Sequence, residues 1–239
     1  GRDHVLALAQ AAGAARVVPV GRFAGLARPA GRTDSLAARP LHRPVRVCAG
    51  GDVMLGTNLD TVWAHAASAR MRTLFRRADD PASLVAPLRP WFGGADVALV
   101  NVESAIGEGP APAKCGPGAT NCFAFRAPVA SAAALRSLAP HGVVVGNVAN
   151  NHARDAGTLG QDSTVASLLQ AGVLVTGDDT LPTLVPTAAG DTLAFLGFYS
   201  SRDTPDLRDT AAVRRHVSRA ADRFPVVIVT MHLGAEGRM

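Results

Sequence analysis

Carboxylates, amides and imidazoles recur at four places in the chain, each at or just after the end of an apolar run. Asp52 lies in GDVMLG (51–56), and Asn101 and Glu103 lie in NVE (101–103). Asn150, Asn151, His152 and Asp155 follow in ANNHARDAG (149–157), and His232 and Glu236 in HLGAE (232–236). Asp, Glu and Asn oxygens together with His nitrogens are the ligand set that Mn²⁺, Fe or Zn²⁺ accept in hydrolytic centres. Each residue alone has an ordinary reading. Asp52 suits a turn or helix cap after glycine, Glu103 suits the first turn of a helix, and either histidine can be a hydrogen-bonded structural residue. Their joint placement makes one shared polar site the better expectation.

Other chemistries find no support. The chain has no GxxxxGK[ST] loop and no GxGxxG between a strand and a helix, so phosphate-loop and dinucleotide binding are not indicated. No GxSxG elbow occurs, and Ser104 is not marked by a strained turn. His141 reads as a surface loop residue, and Asp178 and Asp179 in TGDDT as solvated turn residues.

Strands must position these groups. Short β-branched runs at 45–50, 96–101, 142–147, 173–175, 192–199 and 225–231 alternate with Ala/Leu-rich segments near 60–77, 81–92, 128–139, 157–171 and 208–222. Near-continuous apolar strands imply burial on both faces, and the alternation with helices predicts an α/β sheet. The stretch PTLVPTAAGDTLAFLGFYS breaks the rhythm and reads as a hairpin around Ala-Gly-Asp. In open α/β sheets ligands bind at the carboxyl ends of the strands. Four strand ends are therefore expected to bring their polar residues to one rim.

Composition narrows the class. Hydrophobic residues make up 48% and charged residues 18% of the 239, which favours a folded globule over a disordered chain. The net charge of +5 is carried by scattered arginines, Lys114 being the sole lysine, with a single tyrosine in the chain. That pattern lacks the clustered basic face of a nucleic-acid binder, so no nucleic-acid partner is expected. Residues 1–44 contain the Pro/Arg-rich LARPAGRTDSLAARPLHRP and read as an upstream remnant and linker. Cys48 reads as a small core residue. Cys115 and Cys122 flank a Gly/Pro loop, have no second pair to complete a zinc site, and are expected to form a local disulfide. Such a bond implies an extracytoplasmic location. No apolar run approaches the ~18 residues of a membrane span. No signal peptide is evident, and both ends read as cut from a longer parent.

In this order the four motifs resemble those of the bacterial capsule-synthesis CapA (PGA_cap) family, which includes poly-γ-glutamate synthesis proteins. Its pieces resemble GDxMLG, NLE, ANNHxxDxG and HxGxE, and the resemblance spans Val45 to the end of the chain. The stretch CFAFRAP is similar to the family's strand-and-helix segment after a variable loop. The resemblance implies a calcineurin-like four-layer α/β/β/α sandwich holding one or two divalent metals. It further implies Asp52, Glu103, Asn151 and His232 as metal ligands, Glu103 bridging. His152 would be the catalytic acid and Asp155 its hydrogen-bonded support, with Asn101, Asn150 and Glu236 in secondary positions. Two departures accompany it. Met54 stands where the phosphoesterase DxH pattern has histidine. A family-type GxHPH segment would follow HLGAE, but the sequence stops at Met239, so the domain is expected to be incomplete at its C-terminus and weak in metal binding.

Two functions follow as expectations. One is a metal-dependent hydrolase of phosphoester or amide substrates in capsule or poly-γ-glutamate biosynthesis. The other is a non-catalytic extracytoplasmic assembly component that binds an anionic capsular polymer. In the full-length parent, membrane-bound capsule-synthesis partners and membrane or cell-surface association are expected.

Overall fold

The computed structural model describes residues 41–58, 69, 70, 73, 80–109, 123–202 and 204–233. The chain separates into units Gly1–Arg39 and Pro40–Met239, and the described residues lie in the second. Cys115, Cys122 and Glu236 lie outside the described residues, as does nearly all of the helix expected near 60–77.

Four strands form a parallel sheet in the order β1 (Val47–Val53), β3 (Val97–Val102), β6 (Val143–Asn147) and β7 (Val173–Thr176). A second sheet has the order β10 (Val226–His232), β9 (Thr192–Tyr199) and β8 (Thr183–Pro186). Strands β9 and β10 run parallel, while β8 and β9 form the antiparallel hairpin expected around Ala-Gly-Asp. Its turn is closed by Thr187 N–H donating to the Asp191 carbonyl at 2.7 Å, with Gly190 at φ +85° where a side chain would be strained.

Strand periodicity builds the layers. On β3, Val97 and Leu99 share one cluster with Val145, Val185, Leu193, Phe195, Val226 and Ile228, so this face packs sheet against sheet. The alternate residues Ala98, Val100 and Val102 belong to a second cluster with Phe92, Leu135, Leu138 and Leu168 of the helical side. On the second sheet, Ala194, Leu196 and Phe198 pack with Val213, Val217 and Ala220. Three apolar seams therefore separate four layers, helices, sheet, sheet and helix. Each fully buried Val, Leu or Phe contributes about 1.5–3 kcal/mol.

The helices α3 (Ala130–Arg136), α4 (Gly157–Gln170) and α5 (Thr210–Ala221) match the expected segments with shorter ends. On α4 the buried Gly160, Gln161, Thr164, Ser167 and Leu168 recur at helical spacing, and Gly172 at φ +79° follows its end. The single helix expected over 81–92 is instead α1 (Pro81–Val85), a 3₁₀ turn (Ala86–Leu88) and α2 (Arg89–Phe92). Pro87 and Pro90 explain the break, because neither can donate a backbone hydrogen bond within a helix. Beside the main sheets, β2 (Thr57–Asn58), β5 (Phe125–Ala127) and β4 (Ala105–Ile106) form a small sheet that the sequence reading did not anticipate beyond the strand at CFAFRAP.

The first strand also corrects an expectation. It does not stop at residue 50 but runs to Val53, so Asp52 lies within β1. Register with β3 pairs Ala49 with Leu99 and then Asp52 with Asn101, leaving one residue too many on β1 between them. This bulge at Gly50-Gly51 changes the parity of the strand. Val47 and Ala49 face the second sheet, and after the extra residue Asp52 faces it too, while Val53 joins the helical side.

Candidate metal centre

The same parity continues along the other strands and brings polar groups to the carboxyl end of the seam between the sheets. Residues 97, 99 and 101 of β3 share a face, as do 143, 145 and 147 of β6 and 226, 228, 230 and 232 of β10. Apolar through the middle, each of these faces ends in a donor or acceptor: Asn101, Asn147 and His232. Asp52 arrives beside Asn101 through the bulge.

One ligand atom each from Asp52, Glu103 and His232 lie within 4.8 Å of one another. His232 Nδ1 is 3.6 Å from Asp52 Oδ1, and His232 Nε2 is 3.5 Å from Glu103 Oε1. The Asp52 side chain is 59% exposed while that of Glu103 is 9% exposed, so the cluster opens to solvent on the aspartate side. Two carboxylates and an imidazole this close form a mixed oxygen and nitrogen set suited to a divalent cation such as Mn²⁺, Fe²⁺ or Zn²⁺. The two carboxylates are bridged by the Asn101 side-chain amide. Its Nδ2 donates to Asp52 Oδ1 at 2.7 Å and to Glu103 Oε2, and lies 3.1 Å from His232 Nδ1.

The loop after β6 supplies the rest. His232 Nε2 lies 2.6 Å from Asn151 Oδ1. An amide oxygen only accepts, so Nε2 carries the proton and leaves the Nδ1 lone pair facing Asn101. Asn150 donates from Nδ2 to the Asn101 oxygen at 3.0 Å and to the Val102 carbonyl at 2.8 Å, while its own oxygen accepts from His152 N–H at 3.0 Å. His152 is buried, with its Nδ1 2.5 Å from Asp155 Oδ2. The same carboxylate oxygen accepts from Phe125 N–H at 2.6 Å, and the Phe125 ring lies 4.6 Å from the imidazole, centroid to centroid. Held on both sides, the imidazole directs Nε2 toward Glu103, whose Oε1 is 3.8 Å away.

The structure thus brings Asp52, Asn101, Glu103, Asn150, Asn151, His152, Asp155 and His232 into one connected cluster. Glu236 lies outside the described residues. Met54 is largely exposed and belongs to none of the apolar clusters.

A family model for the bacterial capsule synthesis protein PGA_cap matches residues 46–239. The chain belongs to that family. In this PGA_cap protein the matched region covers the whole four-layer body and every residue of the cluster. Comparison with curated proteins returns no match.

Two residues of this PGA_cap site escaped the sequence reading. Asn147 is 1% exposed, and its Nδ2 donates to Asn101 Oδ1 at 2.8 Å and to the Ala149 carbonyl at 3.2 Å. Its signal was present: neighbouring strands VALVN and VVVGN both end in asparagine, and register pairs Asn101 with Asn147. Tyr199 ends β9 opposite His232, with ring centroids 5.5 Å apart. Nothing in the spacing of motifs pointed to it.

Proposed function

We propose that this capsule-synthesis protein carries a divalent-cation-dependent hydrolytic site for phosphoester or amide bonds in the biosynthesis of an anionic capsular polymer such as poly-γ-glutamate. One observation carries the reading: ligand atoms of Asp52 on β1, Glu103 just past the end of β3 and His232 at the end of β10 converge within 4.8 Å. Asn151 is the fourth candidate ligand, being in hydrogen-bond contact with His232. When bound there, a cation supplies Lewis acidity and neutralises charge developing on the substrate.

The chain's own residues supply the remaining chemistry. Asp155 accepts from His152 Nδ1 and fixes the ring's orientation, so proton exchange is confined to Nε2. That nitrogen faces the carboxylate cluster and serves as the general acid toward a leaving group. Burial of Glu103 and His152 keeps these groups in a poorly solvated wall where electrostatic interactions are stronger than in water. The exposed Asp52 leaves one side open for a polymeric substrate.

Metal analysis of the purified chain, followed by assays on phosphodiester and γ-glutamyl amide substrates with added Mn²⁺ or Zn²⁺, tests the reading. Replacing His152 with Asn should lower turnover by about 10²–10⁴-fold while retaining bound metal. If Asp52→Ala keeps full turnover, the hydrolytic reading is wrong. Polymer binding that persists without turnover, weakens with salt and survives loss of His152 would instead favour a non-catalytic assembly role. We also propose an extracytoplasmic or cell-surface location with membrane-bound capsule-synthesis partners. The described residues contain no helix long and apolar enough to cross a membrane, and the family's role in capsule synthesis supports the surface placement.

A further inference from the structure

We infer that Asn101 is a positioning residue that presents its amide NH₂, rather than its oxygen, to the cation site. Its NH₂ group and a cation compete for the same ligand lone pairs. This inference rests on the divalent-cation reading of the site.

The side-chain oxygen of Asn101 accepts from Nδ2 of Asn147 at 2.8 Å and from Nδ2 of Asn150 at 3.0 Å. Amide orientation is assigned from the surrounding hydrogen bonds, and here the partners are themselves fixed. Asn147 Nδ2 also donates to the Ala149 carbonyl, and its oxygen lies 3.3 Å from the Ala149 N–H. Asn150 Nδ2 also donates to the Val102 carbonyl, and its oxygen accepts from His152 N–H. Turning either partner over would set donor against donor at a buried position, at a cost of about 1–3 kcal/mol for each lost pairing. The three amides therefore form a directional relay, and Asn101 can only offer N–H groups at its far end.

Those N–H groups meet the candidate ligands. Nδ2 reaches Asp52 Oδ1 and Glu103 Oε2 and lies 3.1 Å from His232 Nδ1. An amide nitrogen has two hydrogens, so two carboxylates take them, and the imidazole lone pair shares in the contact. This arrangement offsets the repulsion between neighbouring carboxylates and keeps them aligned. A cation binding Asp52 and Glu103 competes with the amide for the same oxygens.

The substitution Asn101→Asp separates this role from a purely structural one. It keeps the oxygen that accepts from Asn147 and Asn150, and replaces only the NH₂ with a second carboxylate oxygen facing Asp52 and Glu103. Without metal, the variant should melt at a lower temperature than wild type. Its affinity for Zn²⁺ alone, measured by titration calorimetry, should rise by about tenfold or more, since affinity at oxygen sites follows the number of ligand charges. An unchanged or weaker Zn²⁺ affinity overturns the inference and leaves the cation site standing. Absence of Zn²⁺ binding by the wild-type chain overturns the cation site and the inference together.

A measurement on wild type covers the case in which the variant does not fold. With side-chain amides labelled by ¹⁵N, the Asn101 NH₂ resonance should shift on adding Zn²⁺ while those of Asn147 and Asn150 stay in place. Shifts of equal size at all three amides would mean that the relay turns over, and the inference would fail.

Discussion

The seam between the two sheets has a middle and an end, and both are built on the same faces of the same strands. In the middle, Leu99, Val145, Leu193 and Phe195 exclude water. One or two positions further along, Asn101, Asn147 and His232 carry hydrogen bonds or a candidate ligand, and Gly197 leaves room for Asn147. Strand geometry separates successive residues on one face by roughly 7 Å. Stability and chemistry are therefore adjacent in space yet carried by different residues, and substitutions should tell them apart.

The largest expected effect is in the middle. Phe195 is fully buried, and Phe195→Ala should lower unfolding free energy by about 3–5 kcal/mol in denaturant titration. At the boundary, Gly197→Ala should affect both functions. A Cβ there would stand 2.1 Å from Asn147 Oδ1 and 2.9 Å from the Gly177 Cα. Overpacking of this kind costs about 1–3 kcal/mol, and displacement of Asn147 should weaken Zn²⁺ binding in the same variant. At the end, Asp52→Ala should reduce Zn²⁺ affinity by more than about tenfold. Because its side chain is 59% exposed, stability should stay within about 0.5 kcal/mol. The smallest effect is expected one residue from the site on the opposite face. Met231, 48% exposed beside His232, should tolerate threonine within about 0.5 kcal/mol with Zn²⁺ affinity unchanged. A stability loss for Asp52→Ala as large as that for Phe195→Ala would abolish the distinction.

Much of this arrangement was legible in the chain. Apolar runs of β-branched residues marked the buried strands, and polar clusters at their ends marked the rim, because both signals are local. Parity was not legible. GGDVMLG reads as a strand followed by a turn, and only pairing with β3 reveals that Gly50 and Gly51 stand opposite one position. Asn147 is not legible alone, because a single asparagine ending a strand has many uses; its meaning comes from the neighbouring strand. The break in the helix expected over 81–92 is legible too, since Pro87 and Pro90 stand in the sequence and remove two backbone donors.

The glycine doublet in the first strand acts as a half-turn of phase. Were both glycines drawn into regular pairing, with no residue skipped, the acid would rotate into the oily seam beneath the helices and a valine would swing over the rim. Flattening one kink would thus exchange a negative charge for an isopropyl group at the mouth of the cleft. Loss of one glycine, by contrast, would leave the aspartate opposite Asn101, so the chemistry of this strand depends on the single skipped pairing and not on how many residues precede the acid.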